Sequence, residues 1–291
     1  MYSEISSNKR ATVLLISLYA AILIALGWVA GEYFGDPSTG IVIATVVSTM
    51  MTLVGYFAGD RISLASAGAK EVTKREAQEL VMIVENLAIT AGLPTPRVFV
   101  IDDPSPNAFA TGRDPAHASV AVTTGLLRRL DRAELEGVLA HELSHIGNYD
   151  IRVMTLVVVL VGVVMLLSDM LTRALFHGRD RDAPAALALV GLALAILSPL
   201  FAELIKLAVS RKREYLADAS GAMLTRHPDG LARALEKIAA DDLPLQRANH
   251  ATAHLFLANP FDPHVTKKFE RWFSTHPPIE ERIKRLRTMG N

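Results

Sequence analysis

Cysteine is absent from this 291-residue chain, which excludes disulfides, thiolate metal sites and cysteine nucleophiles. Its absence leaves the compartment open, because a reducing cytosol and an oxidising space both tolerate a chain without thiols. Net charge is lacking as well: 30 Lys and Arg balance 30 Asp and Glu. A chain with no basic excess carries no electrostatic footprint for nucleic acid. Charged residues make up only 21% and aromatic residues 6%, whereas hydrophobic residues reach 51% and mean hydropathy is +0.29. That value is high for a protein that meets water on all sides. Part of the apolar surface must face lipid.

The apolar residues are concentrated in four runs. Residues 11–31 and 37–59 contain no charge, and at 1.5 Å rise per residue each is long enough to cross a hydrocarbon core of about 30 Å. A cleaved signal peptide does not account for the first run, which is too long and has no small-residue cleavage site before a polar start. Two weaker runs follow, 153–168, interrupted at Asp169, and 183–202, which contains Pro184 and Pro199. These two read as spans or as a membrane-embedded hairpin. The expected organisation is an N-terminal membrane hairpin at 1–59, the first part of a polar domain at 60–152, a second hydrophobic hairpin at 153–203 and the rest of the polar domain at 204–291.

Lys9 and Arg10 precede the first run, the 32–36 connection has no Lys or Arg, and Arg61, Lys70, Lys74 and Arg75 follow the second. The positive-inside bias therefore puts the N-terminus and the polar domain in the cytoplasm. Arg173, Arg179 and Arg181 between the later runs fit an outside loop poorly: either the bias is overridden there or that hairpin does not fully cross.

In the polar domain, Thr73 and Glu76 have capping-box spacing ahead of Leu80, Val81, Val84, Leu87 and Ala88, which predicts a helix over 74–91 ending at Gly92. Arg97 to Ile101, Asn107 to Thr111 and Ala118 to Thr123 read as strands, the last two separated by the turn-prone 112–115. Asp131 with Glu134 opens a further helix. The fold class is thus mainly α with a small β-sheet, carried on about four hydrophobic helices.

That last helix contains His141-Glu142-Leu143-Ser144-His145, an H-E-x-x-H. Positions i and i+4 of a helix share a face, so both imidazoles reach one ion, and Glu142 stands beside the water the ion activates. A hydrolytic zinc site needs a third protein ligand and an open fourth position. Glu214 and Asp218 in Arg213-Glu214-Tyr215-Leu216-Ala217-Asp218 are again four apart. One carboxylate can ligate while the other accepts a ligand imidazole's N–H. Taken alone, Glu214 reads as a surface residue paired with Arg211; beside H-E-x-x-H, the ligand reading is stronger. Two imidazoles and a carboxylate suit Zn²⁺, one per chain.

Other groups read more simply. His117, His177, His227, His250, His254 and His264 lack ligand spacing, Asp150 reads as a hydrogen-bond partner at a helix end, and Glu280 to Arg287 reads as a solvated helix face.

H-E-L-S-H followed by R-E-x-x-A-D, with Asn107-Ala108-Phe109-Ala110-Thr111-Gly112 before and Ser274-Thr275-His276-Pro277-Pro278 after, resembles the HtpX family of membrane-bound zinc metalloproteases, which are gluzincins. The likeness spans essentially the whole chain. The related CAAX prenyl proteases share the zinc motifs but have more spans, so this shorter chain fits HtpX better and a CAAX-type processing protease is the alternative. The resemblance implies zinc ligation by His141, His145 and Glu214, with Glu142 as base and Asp218 behind a ligand. It also implies ATP-independent cleavage of membrane or misfolded proteins in a stress response, with the site facing the cytoplasm from the inner membrane. Residues 107–112 would form an edge strand that aligns an extended substrate, with an ordinary buried strand as the alternative. His276 would donate to the oxyanion or cap a helix.

Three other functions are expected to fail. An intramembrane protease conflicts with Arg132, Glu134, Glu136, Asp150 and Arg152 around the motif. A soluble extracellular protease conflicts with the two strong runs. A catalytically silent zinc adaptor or holdase would have no use for Glu142. Oligomeric state is not legible from the sequence.

Overall fold

The first two apolar runs form one helical hairpin in the computed structural model, which describes residues 2–177, 210–241, 243–246, 251–258 and 277–290. Helix α1 (Tyr2–Phe34) ends at Gly35, whose φ of 85° reverses the chain, and α2 (Pro37–Ser66) starts under the side chain of Asp36, which accepts the Ser38 and Thr39 amides. Pro37 at the first helical position loses no hydrogen bond there. The two helices touch through Gly27 and Gly40, where a Cβ on Gly40 would lie 2.1 Å from the Gly27 carbonyl oxygen. Small residues permit this approach, which is how helices associate where lipid removes the hydrophobic drive between them. Ile41, Val42, Val46, Met50, Leu53 and Phe57 of α2 remain exposed. Both helices have the length and composition to cross a membrane.

A short strand β1 (Ala69–Glu71) leads into α3 (Gln78–Ala91), then β2 (Arg97–Ile101), β3 (Ala108–Gly112) and β4 (Ala118–Thr123). The helix begins four residues later than the predicted 74. Thr73 N–H and Oγ1 both donate to Glu76 Oε2 at 2.8 Å, so that pair closes a tight turn instead of capping the helix. The sheet order is β1-β2-β4-β3, with β2 and β4 parallel and the outer pairs antiparallel.

Alternation along the strands divides two cores. Val98, Ala108, Ala110, Val120 and Val122 pack with α3 and with α5 (Arg132–Gly147) on one side. Phe99, Ile101, Phe109 and Ala121 pack on the other, against Leu64 of α2 and Met154 and Val158 of α6 (Asp150–His177). Both faces are covered, which is why these strands read as nearly unbroken apolar runs. A short helix, α4 (Thr124–Arg129), connects β4 to α5.

Helix α6 holds the third apolar run and continues through Asp169 without a break. Its first half is interior: Ile151, Val153, Val157 and Leu160 are buried, the last three against Leu15, Tyr19 and Leu23 of α1. Of the about four hydrophobic helices expected, the described residues contain two that are long and apolar enough to cross a membrane, or three if the bent pair α5 and α6 counts as one span; the run 183–202 lies outside those residues. After it come α7 (Arg211–Thr225), α8 (Pro228–Ala239) and α9 (Ile279–Met289).

Candidate metal centre

Helix α5 starts with a closed capping box: Asp131 accepts the Glu134 amide at 2.9 Å and Glu134 accepts the Asp131 amide at 2.8 Å. Two orphan donors are satisfied at once, which fixes the register of everything that follows. One turn of helix separates His141 from His145, so both imidazoles leave the same face, with Nε2 atoms 3.2 Å apart. Helix α7 crosses α5 at Gly221, where a Cβ would sit 2.9 Å from the His141 amide nitrogen. The missing side chain lets α7 approach closely enough for Glu214 to face the pair. Glu214 Oε1 lies 3.5 Å from His145 Nε2, and Oε2 lies 3.8 Å from His141 Nε2.

These three side chains are buried and form a cluster able to hold one metal ion. A tetrahedral ion with bonds of about 2.0–2.2 Å separates its ligand atoms by roughly 3.3–3.6 Å, close to the distances observed. Charge agrees with geometry. Glu142, Asp150, Glu214 and Asp218 are each at most 3% exposed; among the described residues, the Arg and Lys side chains paired with them are Arg282, fully buried, and the mostly covered Arg213. A divalent cation would take the place of the proton on His145 among these carboxylates.

Each imidazole is held from behind. His141 Nδ1 stands 3.0 Å from Asp218 Oδ1, and His145 Nδ1 stands 3.0 Å from Asp150 Oδ2. A carboxylate on Nδ1 selects the tautomer that leaves Nε2 as a bare lone pair toward the ion. Asp150 reaches this position because α5 and α6 meet at 83°, with Tyr149 between them in the left-handed region at φ 62°. A non-glycine residue held there costs about 1–3 kcal/mol.

Burial, assisted by the negative charge of Glu214, raises the Glu142 carboxyl to about 7, against the opposing effects of His145 and the Ala110 amide, which donates to it. For His145, burial opposes the imidazolium, but the bond to Asp150 and the charge of Glu214 outweigh it and raise the ring to about 9. His141 moves down, first because it is buried and then because Arg282 and His145 are near. In the ion-free protein His145 thus carries a proton below about pH 9, and a metal ion must displace it. Metal affinity should therefore rise with pH, by roughly tenfold per unit from 7 towards 9, and level off above. Competition with a chromophoric chelator at pH 7, 8 and 9 checks this; a pH-independent affinity would contradict it.

Arg282 was not anticipated. The stretch Glu280 to Arg287 was expected to be a solvated face, yet Arg282 is 0% exposed. Its Nη2 and Nε donate to Asp218 at 2.7 and 2.9 Å, and Nη1 lies 3.5 Å from Glu214 Oε2. The signal was present in the sequence: Ile279, Ile283 and Leu286 trace an apolar stripe at i, i+4 and i+7, and position 282 falls on it. Removing one partner of a buried ion pair leaves a bare charge. Arg282→Met is expected to destabilise by about 3–5 kcal/mol, read from chemical denaturation in detergent; a change within 0.5 kcal/mol, the usual range for a surface substitution, would mean the guanidinium is not a structural counter-ion.

The candidate substrate strand Asn107, Ala108, Phe109, Ala110, Thr111 and Gly112 includes β3, at the sheet edge. Part of that edge is taken by the chain itself. The Leu257 amide donates to the Ala108 carbonyl at 3.0 Å, the Asn107 side chain pairs with both backbone groups of Ala258, and the Gly112 amide donates to Thr155 Oγ1. All five residues of β3 are buried, and the Ala110 amide is taken by Glu142; among the described residues, no strand pairs with the outer side of β3 at Ala110. His276, with Ser274 and Thr275, lies outside the described residues. Among the other histidines, His117 pairs with Asp114 on the surface, His227 precedes α8, and His254 is buried with Nε2 3.0 Å from the Met154 carbonyl; His250 and His264 lie outside the described residues.

An H-E-x-x-H helix facing a carboxylate from a second helix, on a domain tied to a membrane hairpin, defines the class as a membrane metallopeptidase. The chain belongs to peptidase family M48, which it matches over residues 74–290, and within it to the HtpX proteases. It is 47% identical over 292 residues to the protease HtpX homolog of Dictyoglomus turgidum, covering 99% of this chain and 95% of that protein. Against the homolog of Thermoanaerobacter pseudethanolicus it is 45% identical over 297 residues, covering 99% and 98%. The crystal structure of S. mikatae Ste24p superposes with a TM-score of 0.50 at 18% identity, covering 98% of this chain and 67% of that one. That likeness extends to the fold.

Proposed function

We propose that the metal is zinc, and that the enzyme cleaves membrane or misfolded proteins at the cytoplasmic surface of the cell's inner membrane. Zinc held by His141, His145 and Glu214 would supply Lewis-acid polarisation of the attacking water and of the scissile carbonyl. Glu142 takes the proton from that water and returns it to the departing amine. Its carboxyl, raised to about 7, is matched to that exchange. Asp218 and Asp150 hold the Nδ1 protons of the two ligand imidazoles, keeping the rings in one orientation through the cycle. Residues 107–112 align an extended peptide through main-chain bonds, which gives affinity with little sequence preference. His276 donates a hydrogen bond to the oxyanion that develops on the carbonyl.

One observation carries the membrane-surface reading. Asn8 bonds to Asp150, and it lies three residues ahead of Ala11, where the charge-free run begins. At 1.5 Å per residue that is about 4.5 Å along the helix axis, which supports a metal centre held close to the start of the charge-free run of α1. Detergent-purified full-length protein should cleave casein and an unfolded membrane protein, lose the activity to a chelator and recover it with zinc. Client binding without cleavage would favour the adaptor, and chelator-resistant cleavage would refute the metal mechanism. Because the chain has no cysteine, orientation is testable with single replacements. Glu32→Cys should react with an impermeant maleimide from outside intact cells and Glu71→Cys should not; the reverse pattern inverts the topology.

A further inference from the structure

The first membrane helix reaches into the metal centre. Asn8 of α1 is 1% exposed, and its single amide nitrogen makes two bonds. Nδ2 donates to Asp150 Oδ1 at 2.6 Å and to the Asn148 carbonyl at 2.8 Å. Asn148 is the C-cap of α5 and Asp150 the first residue of α6, so one amide group spans the 83° corner at which Tyr149 adopts its left-handed conformation. The other oxygen of Asp150 is the one 3.0 Å from His145 Nδ1.

The orientation of Asn8 is forced. Both partners are acceptors, so exchanging its oxygen and nitrogen would set oxygen against oxygen. Its own Oδ1 is buried without a hydrogen-bond partner, a cost that an apolar side chain would avoid. What the asparagine contributes is therefore its pair of N–H donors. Arg213 Nε also approaches Asp150 Oδ1, at 3.5 Å, outside N–H bond length. Among the described residues, Asn8 is thus the donor within hydrogen-bond length of Asp150 Oδ1, and with His145 on Oδ2 it sets which way the carboxylate faces.

We propose that Asn8 is a positioning residue of the metal centre: through Asp150 it orients His145, so that metal affinity depends on a side chain of the membrane anchor. This rests on His145 being a metal ligand. The hairpin is then part of the catalytic unit as well as a tether.

The test uses full-length protein in detergent, measuring zinc affinity by chelator competition, melting of the metal-free protein and the split of kcat from KM. Outer-shell partners of metal ligands typically change affinity 10–100-fold, and Asn8→Leu should weaken zinc by roughly tenfold or more. It should lower kcat while KM stays near the parent value. Thr12→Val, on the same buried side of α1 with its hydroxyl bonded to the Asn8 carbonyl, should leave zinc affinity unchanged. Asn8→Gln, which keeps an amide donor, should recover part of the loss. In an Asp150→Ala background, Asn8→Leu should have no further effect on affinity.

Parent affinity in Asn8→Leu, or an undiminished effect without Asp150, overturns the proposal. If Asn8→Leu does not fold, Asn8→Ala decides in the same way, since it removes the donors without adding bulk. A parent protein that binds no divalent ion overturns the metallopeptidase reading together with this one. A parent that binds zinc and cleaves, beside unaltered Asn8 variants, refutes only the role of Asn8.

Discussion

Glu142→Gln should leave the protein folded and able to hold zinc within a few-fold of the parent affinity, while kcat falls by about 10²–10⁴-fold, the usual worth of a general acid–base group. The substitution keeps the shape of the side chain and one oxygen, and removes only the capacity to take a proton. Burial and the charge of Glu214 raise this carboxyl to about 7, so in the parent it exchanges protons near neutrality. The amide cannot exchange at all. KM should move little, because the proposed main-chain pairing along β3 does not use the carboxyl's proton. Steady-state cleavage combined with metal analysis of the same sample decides it. A variant that cuts at the parent rate would remove Glu142 from the mechanism, and one that has lost its metal would make Glu142 part of the metal-holding set.

Glu214→Gln should have the largest effect on the metal. It replaces one of the three proposed ligands by a neutral, weaker donor, and the loss should exceed the 10–100-fold typical of groups behind the ligands, reaching on the order of 10³-fold. Stability in the absence of metal should respond little. Glu214 shares a buried volume with Glu142, Asp150 and Asp218, so neutralising it relieves repulsion, while Arg282 loses an ionic neighbour at 3.5 Å and the His145 imidazolium loses a favourable charge. The metal-free variant should therefore melt no more than a few degrees from the parent. The increase in melting temperature on adding zinc, which a ligand that binds only the folded state must produce, should largely disappear. Melting curves with and without zinc read both halves. An undiminished zinc-dependent increase would place the third ligand elsewhere.

Both experiments address residues that the sequence displays openly, and that legibility has a cause. H-E-x-x-H is a statement about one turn of one helix, and the capping box at Asp131 and Glu134 fixes that helix locally. Glu214 and Asp218 repeat the same spacing on α7. Strands β2, β3 and β4 were legible for a similar reason, being short apolar stretches bounded by Pro, Asp and Gly. The two long charge-free runs needed nothing beyond their length.

Pairings across the chain followed a different rule. Arg282 meets Asp218 across 64 residues and Asn8 meets Asp150 across 142, and no periodicity connects such positions. The sequence places Arg282 on an apolar stripe but does not say which acid it neutralises. Nor could it show that the first half of α6 is covered by α1 and the sheet, since lipid and protein interior select the same side chains. The chain alone determined which groups can do the chemistry, because helical spacing and residue type are local properties. Only the tertiary structure decided which carboxylate supports which imidazole, because that depends on an 83° corner, on a glycine crossing between α5 and α7, and on a membrane helix placed against both.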